Sequence, residues 1–219
     1  MKYLLTISFV LFAFATGIVA QDKTAAEYKN EGNDALRDKD YATALENYEK
    51  AIENWEDGEP EDAMVYNAAT CARRTEEFDK AIKYYEMAKE RGFRDDIATY
   101  YIAYSLGKQG KAEEMKDFLK DAVEEYQNSK YVGHMEKLLV NYYLKKGSEP
   151  FNEASEILAS AQNADPSQYD EITDNANEEF KKAKEWFEKA LEIDPENEDA
   201  KSSLEEIEER LAGGSEIEE

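Results

Sequence analysis

Small and large apolar residues return along this chain at helical spacing, and the whole series then repeats. After Tyr28 and Gly32 come Tyr41, Ala44, Tyr48 and Ala51. The same ladder returns as Ala69, Phe78, Ala81, Tyr85, Ala88, and again as Ala103, Gly110, Met115, Leu119, Ala122. A looser copy reads Val140, Tyr143, Phe151, Ala154, Leu158, Ala161, and a last one Phe180, Ala183, Phe187, Ala190, Pro195. Apolar positions three and four apart follow the period of an α-helix, and no run alternates as a half-buried strand would. The pattern predicts helices at 23–38 and 41–54, 61–75 and 78–91, 95–108 and 111–127, 130–145 and 151–162. A further pair is expected at 167–177 and 178–193, where 166–193 is also compatible with one longer rod, and a terminal helix near 197–211. Turn residues punctuate the breaks: Gly58-Glu59-Pro60, Arg91-Gly92, Gln109-Gly110, Gly147-Ser148-Glu149-Pro150, Asp165-Pro166 and Asp194-Pro195.

Equivalent ladder positions Ala44, Ala81, Met115, Ala154 and Ala183 lie 37, 34, 39 and 29 residues apart. That scatter surrounds the ~34-residue period of one helical repeat type. With these residues the chain resembles the tetratricopeptide repeat (TPR) family over most of residues 24–195. The resemblance implies an all-α, right-handed solenoid of about five helix-turn-helix units with a C-terminal capping helix. Leu204, Ile207 and Leu211 would supply the single apolar stripe of that cap.

In the TPR family the first helix of each pair lines a concave groove. Carried onto this chain, the lining positions are Lys29, Asn33 and Arg37 in unit one, and Tyr66, Asn67, Thr70, Arg73 and Arg74 in unit two. Unit three contributes Tyr100, Tyr101, Tyr104 and Lys108, and unit four His134, Lys137, Asn141 and Lys145. No acid appears among them. Lys29, Asn33 and Asn67 are similar to the first two units of the clamp by which TPR co-chaperones grip a terminal carboxylate. The third unit departs from that clamp, holding Ile97 and Tyr101, and Glu31 replaces an apolar residue. The resemblance therefore implies a polar, basic and aromatic groove for an acidic or carboxylate-ended segment, not a chaperone-tail clamp.

Charge and the chain's beginning narrow the class. Acids number 51 against 27 bases, a formal net charge of −24. Such a surface repels polyphosphates and anionic lipid, so nucleic acid is not an expected partner. The 12% aromatic content and the regular ladder argue for a packed fold rather than disorder. Residues 1–20 read as a secretory signal peptide: basic Lys2, an apolar run over Leu4–Phe14, and small residues at Ala15-Thr16-Gly17 and Val19-Ala20 before polar Gln21-Asp22-Lys23. The alternative is an uncleaved anchor helix. Cleavage would leave a repeat domain over 21–212, a frayed acidic tail over 213–219 and no inserted segment.

Little supports catalysis. His134 is the single His, so no multi-His metal site can form. Cys71 is the single Cys, which excludes an internal disulfide, and its alanine-rich setting suits a packing role. Adjacent carboxylates such as Glu205-Glu206 are too common to mark an acid/base pair, Asp194–Asp199 lacks calcium-loop spacing, and no Gly-rich phosphate cradle is present. The expectation is a periplasmic or secreted, non-enzymatic scaffold without metal or cofactor, monomeric, binding a protein or peptide. Two rivals stand beside it. One is a self-associating, structural subunit of the cell envelope, and the other a diffuse divalent-cation sink on acidic surfaces. If the leader reading is right, mass spectrometry of the exported protein finds a mature N-terminus near Gln21; an intact Met1–Ala20 segment indicates the anchor.

Overall fold

A computed structural model describes residues 23–56 and 58–213; the 1–20 leader and all of the acidic tail except Gly213 lie outside the described residues. Among those described there are nine α-helices and no strand. They are α1 (Ala25–Arg37), α2 (Tyr41–Glu53), α3 (Asp62–Arg74), α4 (Phe78–Glu90), α5 (Asp95–Lys108), α6 (Ala112–Glu125), α7 (Val132–Ser160), α8 (Tyr169–Ile193) and α9 (Glu198–Gly213). Each helix packs on the next, from α1 on α2 to α8 on α9. This nearest-neighbour order is what makes a solenoid, because each unit buries its apolar face only against adjoining ones. No described helix is long and apolar enough to cross a membrane.

The first three helix pairs share one turn, repeated at the ladder's own spacing. Lys39, Glu76 and Gly110 each adopt positive φ, at 62°, 63° and 77°. Each follows the first helix of its pair. The next residue's N–H reaches back to close that helix: Asp40 to the Ala35 carbonyl, Glu77 to Ala72 and Lys111 to Leu106, at 2.9, 2.8 and 3.0 Å. This is the left-handed cap that satisfies the last carbonyls of a helix. At the other end, Thr24 Oγ1 accepts the Glu27 N–H, and the Glu27 carboxylate accepts the Thr24 N–H, forming a capping box.

Small residues then set how closely the helices approach. Ala44, Ala81, Ala154 and Ala183 are completely buried, and Met115 nearly so. Gly32 is pressed against the Tyr48 ring, where an added Cβ would stand 2.8 Å from ring carbons.

The second half departs from the expected pairs. Residues 130–145 and 151–162 were expected as two helices, but α7 runs unbroken for 29 residues with Pro150 inside it. Pro in a helix interior removes a hydrogen bond and costs ~3 kcal/mol, so packing must compensate. It does so along α8, one 25-residue helix that realises the longer rod over 166–193 rather than the pair 167–177 and 178–193. The α7–α8 pair forms the most extensive helix–helix contact of the fold. Phe151 meets Phe180 and Phe187 edge-on at 5.6 and 6.4 Å. Gly147 serves this interface rather than a turn, since a Cβ there would lie 2.9 Å from Phe187. Ser148 Oγ also donates to the Leu144 carbonyl at 2.8 Å, next to the Pro-disrupted turn. The chain is thus three helix-turn-helix units followed by a long antiparallel pair. Helix α9 closes the stack, burying Ala200 and Ile207 and pairing Glu208 with Lys184 at 2.7 Å.

Gly147→Ala should destabilise by about 1–3 kcal/mol, because the buried Phe187 ring has nowhere to retreat. Gly133→Ala, on the same helix but with open space around its Cβ, should instead stabilise by roughly 0.5–1 kcal/mol through helix propensity. Denaturant midpoints with opposite signs for the two variants check this account of α7.

Candidate functional site

Side chains from α4, α5 and the start of α7 form one continuous aromatic strip. Tyr85 from α4 and Tyr101 from α5 stack at 5.4 Å between ring centres. Tyr101 touches Tyr100 at 5.0 Å, and Tyr100 continues to Tyr104, Tyr131 and His134 at 6.4, 6.0 and 5.4 Å. Residues 100, 101 and 104 reach one surface because neighbours three and four apart share a helix face.

Arg73, in the last turn of α3, crosses to this strip from the preceding unit. Its guanidinium carbon sits 4.1 Å from the centre of the Tyr101 ring and 6.0 Å from that of Tyr104. Its Nε–H donates to the Tyr85 hydroxyl at 3.4 Å. Burial opposes the Arg73 charge, but the tyrosine hydrogen bond and the surrounding rings outweigh it, so the guanidinium stays firmly protonated. At one end of the strip Arg94 lies 5.1 Å from the Tyr66 ring, and at the other Lys108 lies 5.4 Å from the Tyr104 ring.

Arg73, Arg74, Arg94, Lys108, Lys137 and Lys145 form no ion pair with any described carboxylate, a state they share with lysines elsewhere such as Lys83 and Lys120, while Lys80 pairs with Glu49 at 2.9 Å and Lys146 with Glu113 at 3.0 Å. Arg73, Arg74, Arg94 and Lys108 each lie over a tyrosine ring instead.

Other expected lining residues are engaged differently. Lys29 pairs with Glu61 at 2.7 Å. Asn33 accepts from the Tyr48 hydroxyl at 2.8 Å, and Asn67 bonds the same hydroxyl, whose pKa is pushed up to about 12 chiefly by burial. The three residues that resemble a carboxylate clamp therefore satisfy neighbours within units one and two. Arg37 pairs with Asp34 one turn earlier, and Thr70 donates to the Tyr66 carbonyl. Tyr66 is a core residue, only 6% exposed, packed edge-on against Tyr85 and Phe93. Arg73 and Arg74 are adjacent in sequence but diverge, since Arg74 turns back toward the Tyr41 ring at 5.7 Å.

In unit four, Lys137 and Asn141 line a cleft of about 470 Å³ between α7 and the α8–α9 corner. Val140, Leu144 and Ile193 give it apolar walls, and Glu136, Asp194 and Asp199 line it as well. The expected lining positions that come together are basic and aromatic in units two and three, and carboxylates join them beyond His134. Two strip members, Arg94 and Tyr131, lie just outside their helices, where counting positions within a helix does not reach. Their signals were Phe93-Arg94 before α5 and Tyr131 three residues before His134.

Cys71 is fully buried, and burial pushes its thiol up to about 12. Among the described residues no group of three or more His, Cys, Asp or Glu is placed to hold a metal ion.

Family comparison agrees with this geometry. Residues 29–97 match a tetratricopeptide repeat model, and residues 176–197 match a second. These segments are similar to tetratricopeptide repeats. The first TPR match spans α1 to the start of α5; the second covers the end of α8 and its turn, where Ala183, Phe187, Ala190 and Pro195 hold the repeat spacing without a helical break. The fold is shared with a TPR repeats protein of Bacteroides fragilis at 20% identity and a TM-score of 0.51, covering 84% of this chain and 97% of that one. It is also shared with a Bacteroides ovatus protein described as a candidate protein-binding protein, at 13% identity and a TM-score of 0.51, covering 88% and 100%. No curated protein matches in sequence.

A thiol reagent at pH 8 should leave Cys71 unmodified in the native protein and modify one equivalent once denaturant unfolds the helical stack. Rapid native labelling, measured by intact mass, would show the α3 environment to be open.

Proposed function

We propose that this TPR protein is an exported, non-enzymatic scaffold whose inner surface holds a segment of another protein or a peptide, acidic or carboxylate-ended. The observation that carries the reading is the strip itself. Arg73, Arg94 and Lys108 lie over tyrosine rings and pair with no described carboxylate, on a chain of net charge −24. Concave surfaces of this kind, offering rings and a few placed charges, are what solenoids use for binding. The same net charge favours an acidic peptide over a nucleic acid only locally, at the strip, since a long polyanion would meet the acidic remainder. Export, to the periplasm or beyond the cell, rests on the leader-like residues 1–20.

Self-association as a structural envelope subunit is a second reading, favoured by one observation. The cap helix α9 exposes Glu205, Glu206 and Glu209, which complement the strip of another copy. A mass that rises with concentration and falls with salt would select it over a monomeric scaffold.

Partners captured from the cell envelope, identified and then measured with purified components, test the reading. Arg73→Glu with Arg74→Glu should abolish binding while preserving helicity, and the Arg73 change should account for most of the loss. Binding should weaken as salt rises. Partners that survive this change, yet are lost when Glu46 and Glu53 become Lys, would assign binding to the acidic outer face.

A further inference from the structure

Resting on the groove reading above, we infer that Arg73 is the groove's anchor and that it selects an Asp or Glu side chain within an extended segment, flanked by apolar residues, rather than a chain-terminal carboxylate. Three features of the site carry this. The first is the state of the guanidinium. Its Nε–H is committed to Tyr85 and its guanidinium carbon lies 4.1 Å from the centre of the Tyr101 ring, so two contacts restrict the side chain. The Nη groups pair with no described carboxylate. A planar fork with its outer edge free matches one carboxylate through two parallel hydrogen bonds. Because the rings have already fixed the side chain, little rotamer entropy is lost when an anion arrives.

The second feature separates the two sources of a carboxylate. Gripping a chain end calls for several cationic and amide donors around one group. The residues of that type, Lys29, Asn33 and Asn67, are bonded to Glu61 and to the Tyr48 hydroxyl. What remains at the centre of the strip is a single fork, suited to a single side chain.

The third concerns the flanks. In an extended segment, residues two before and two after the acid project to the same side as the acid itself. Tyr104 lies 6.0 Å from the Arg73 guanidinium carbon, and Tyr100 adjoins it at 6.4 Å between ring centres, so partly exposed rings stand beside the fork to receive those neighbours. A purely structural Arg73, tying α3 to α4 and α5, would affect stability but confer no preference among ligands.

Three blocked heptapeptides test the inference by NMR titration of the full mature chain, following the backbone amides of residues 73, 101 and 104. They are acetyl-Ser-Phe-Thr-Glu-Thr-Leu-Ser-amide, its Gln counterpart, and that Gln peptide with a free C-terminal carboxylate. The Glu peptide should bind roughly tenfold more tightly than either of the others, as expected for a charge-assisted bidentate contact. Arg73→Gln should erase the preference, while Tyr104→Ala should weaken all three peptides by a similar factor and keep it. If Arg73→Gln loses helicity, Arg73→Lys, which keeps the charge without the fork, serves the same purpose and should reduce the preference. Equal binding of the Glu and Gln peptides at these amides overturns the inference and leaves the groove reading standing. Tightest binding by the free-carboxylate peptide overturns it in favour of a chain end. If no peptide shifts these amides, the inference fails; a captured partner that still maps to α3 and α5 then keeps the groove, and one that maps elsewhere removes it.

Discussion

Aromatic rings on one helix need bare backbone on the helix they face, and most of this architecture follows from that need. Tyr48 occupies the space that a side chain at residue 32 would fill, and Phe187 does the same at residue 147. Both contacts bring helix axes close enough for the fully buried alanines beside them to exclude water. The first contact builds an ordinary helix-turn-helix unit. The second forms between two long helices and holds α7 straight through Pro150, where local preference alone would end the helix.

The same tyrosines that pack the stack also furnish its inner surface. Tyr85 is buried between α3 and α5, yet its hydroxyl orients Arg73. Tyr101 lies beneath the guanidinium and against the rings that lead to His134. Structure and recognition are therefore coupled in the strip, and its geometry is set by core packing rather than by loops. A rigid support of this kind limits what a partner must order on binding. On a chain with almost twice as many acids as bases, the strip keeps local cationic groups: Arg73, Arg94 and Lys108 lie against rings and pair with no described carboxylate.

Much of this was legible in the residues. The ladder Ala44, Ala81, Met115, Ala154, Ala183 marks buried positions along the whole chain, because a small residue at a helix crossing has no substitute of similar size. The first six helix spans followed from Gly and Pro punctuation and came within a few residues of their observed bounds. Gly147 and Pro150 were read as a turn and were not one. Gly has two uses, positive φ and close approach, and only the facing residue shows which applies. Gly110 has the first use and Gly147 the second. Among the lining residues, those in α5 project together as their spacing implied, whereas Lys29, Asn33 and Tyr66 carry no mark in sequence of the Glu61, Tyr48 and Phe93 that occupy them.

The sequence by itself determined the helical class, the repeat register and the sign of the net charge, since each depends on spacing or composition that is local or additive. Tertiary structure decided which bases stay unpaired, which tyrosines become core, that α7 runs through Pro150, and that 166–193 takes the rod rather than the pair. Those outcomes depend on pairs of residues far apart in sequence, such as Arg73 with Tyr101, 28 positions on, or Gly147 with Phe187, 40 positions on. A one-dimensional pattern specifies the face a residue occupies, but the partner it meets there is chosen only when neighbouring helices pack.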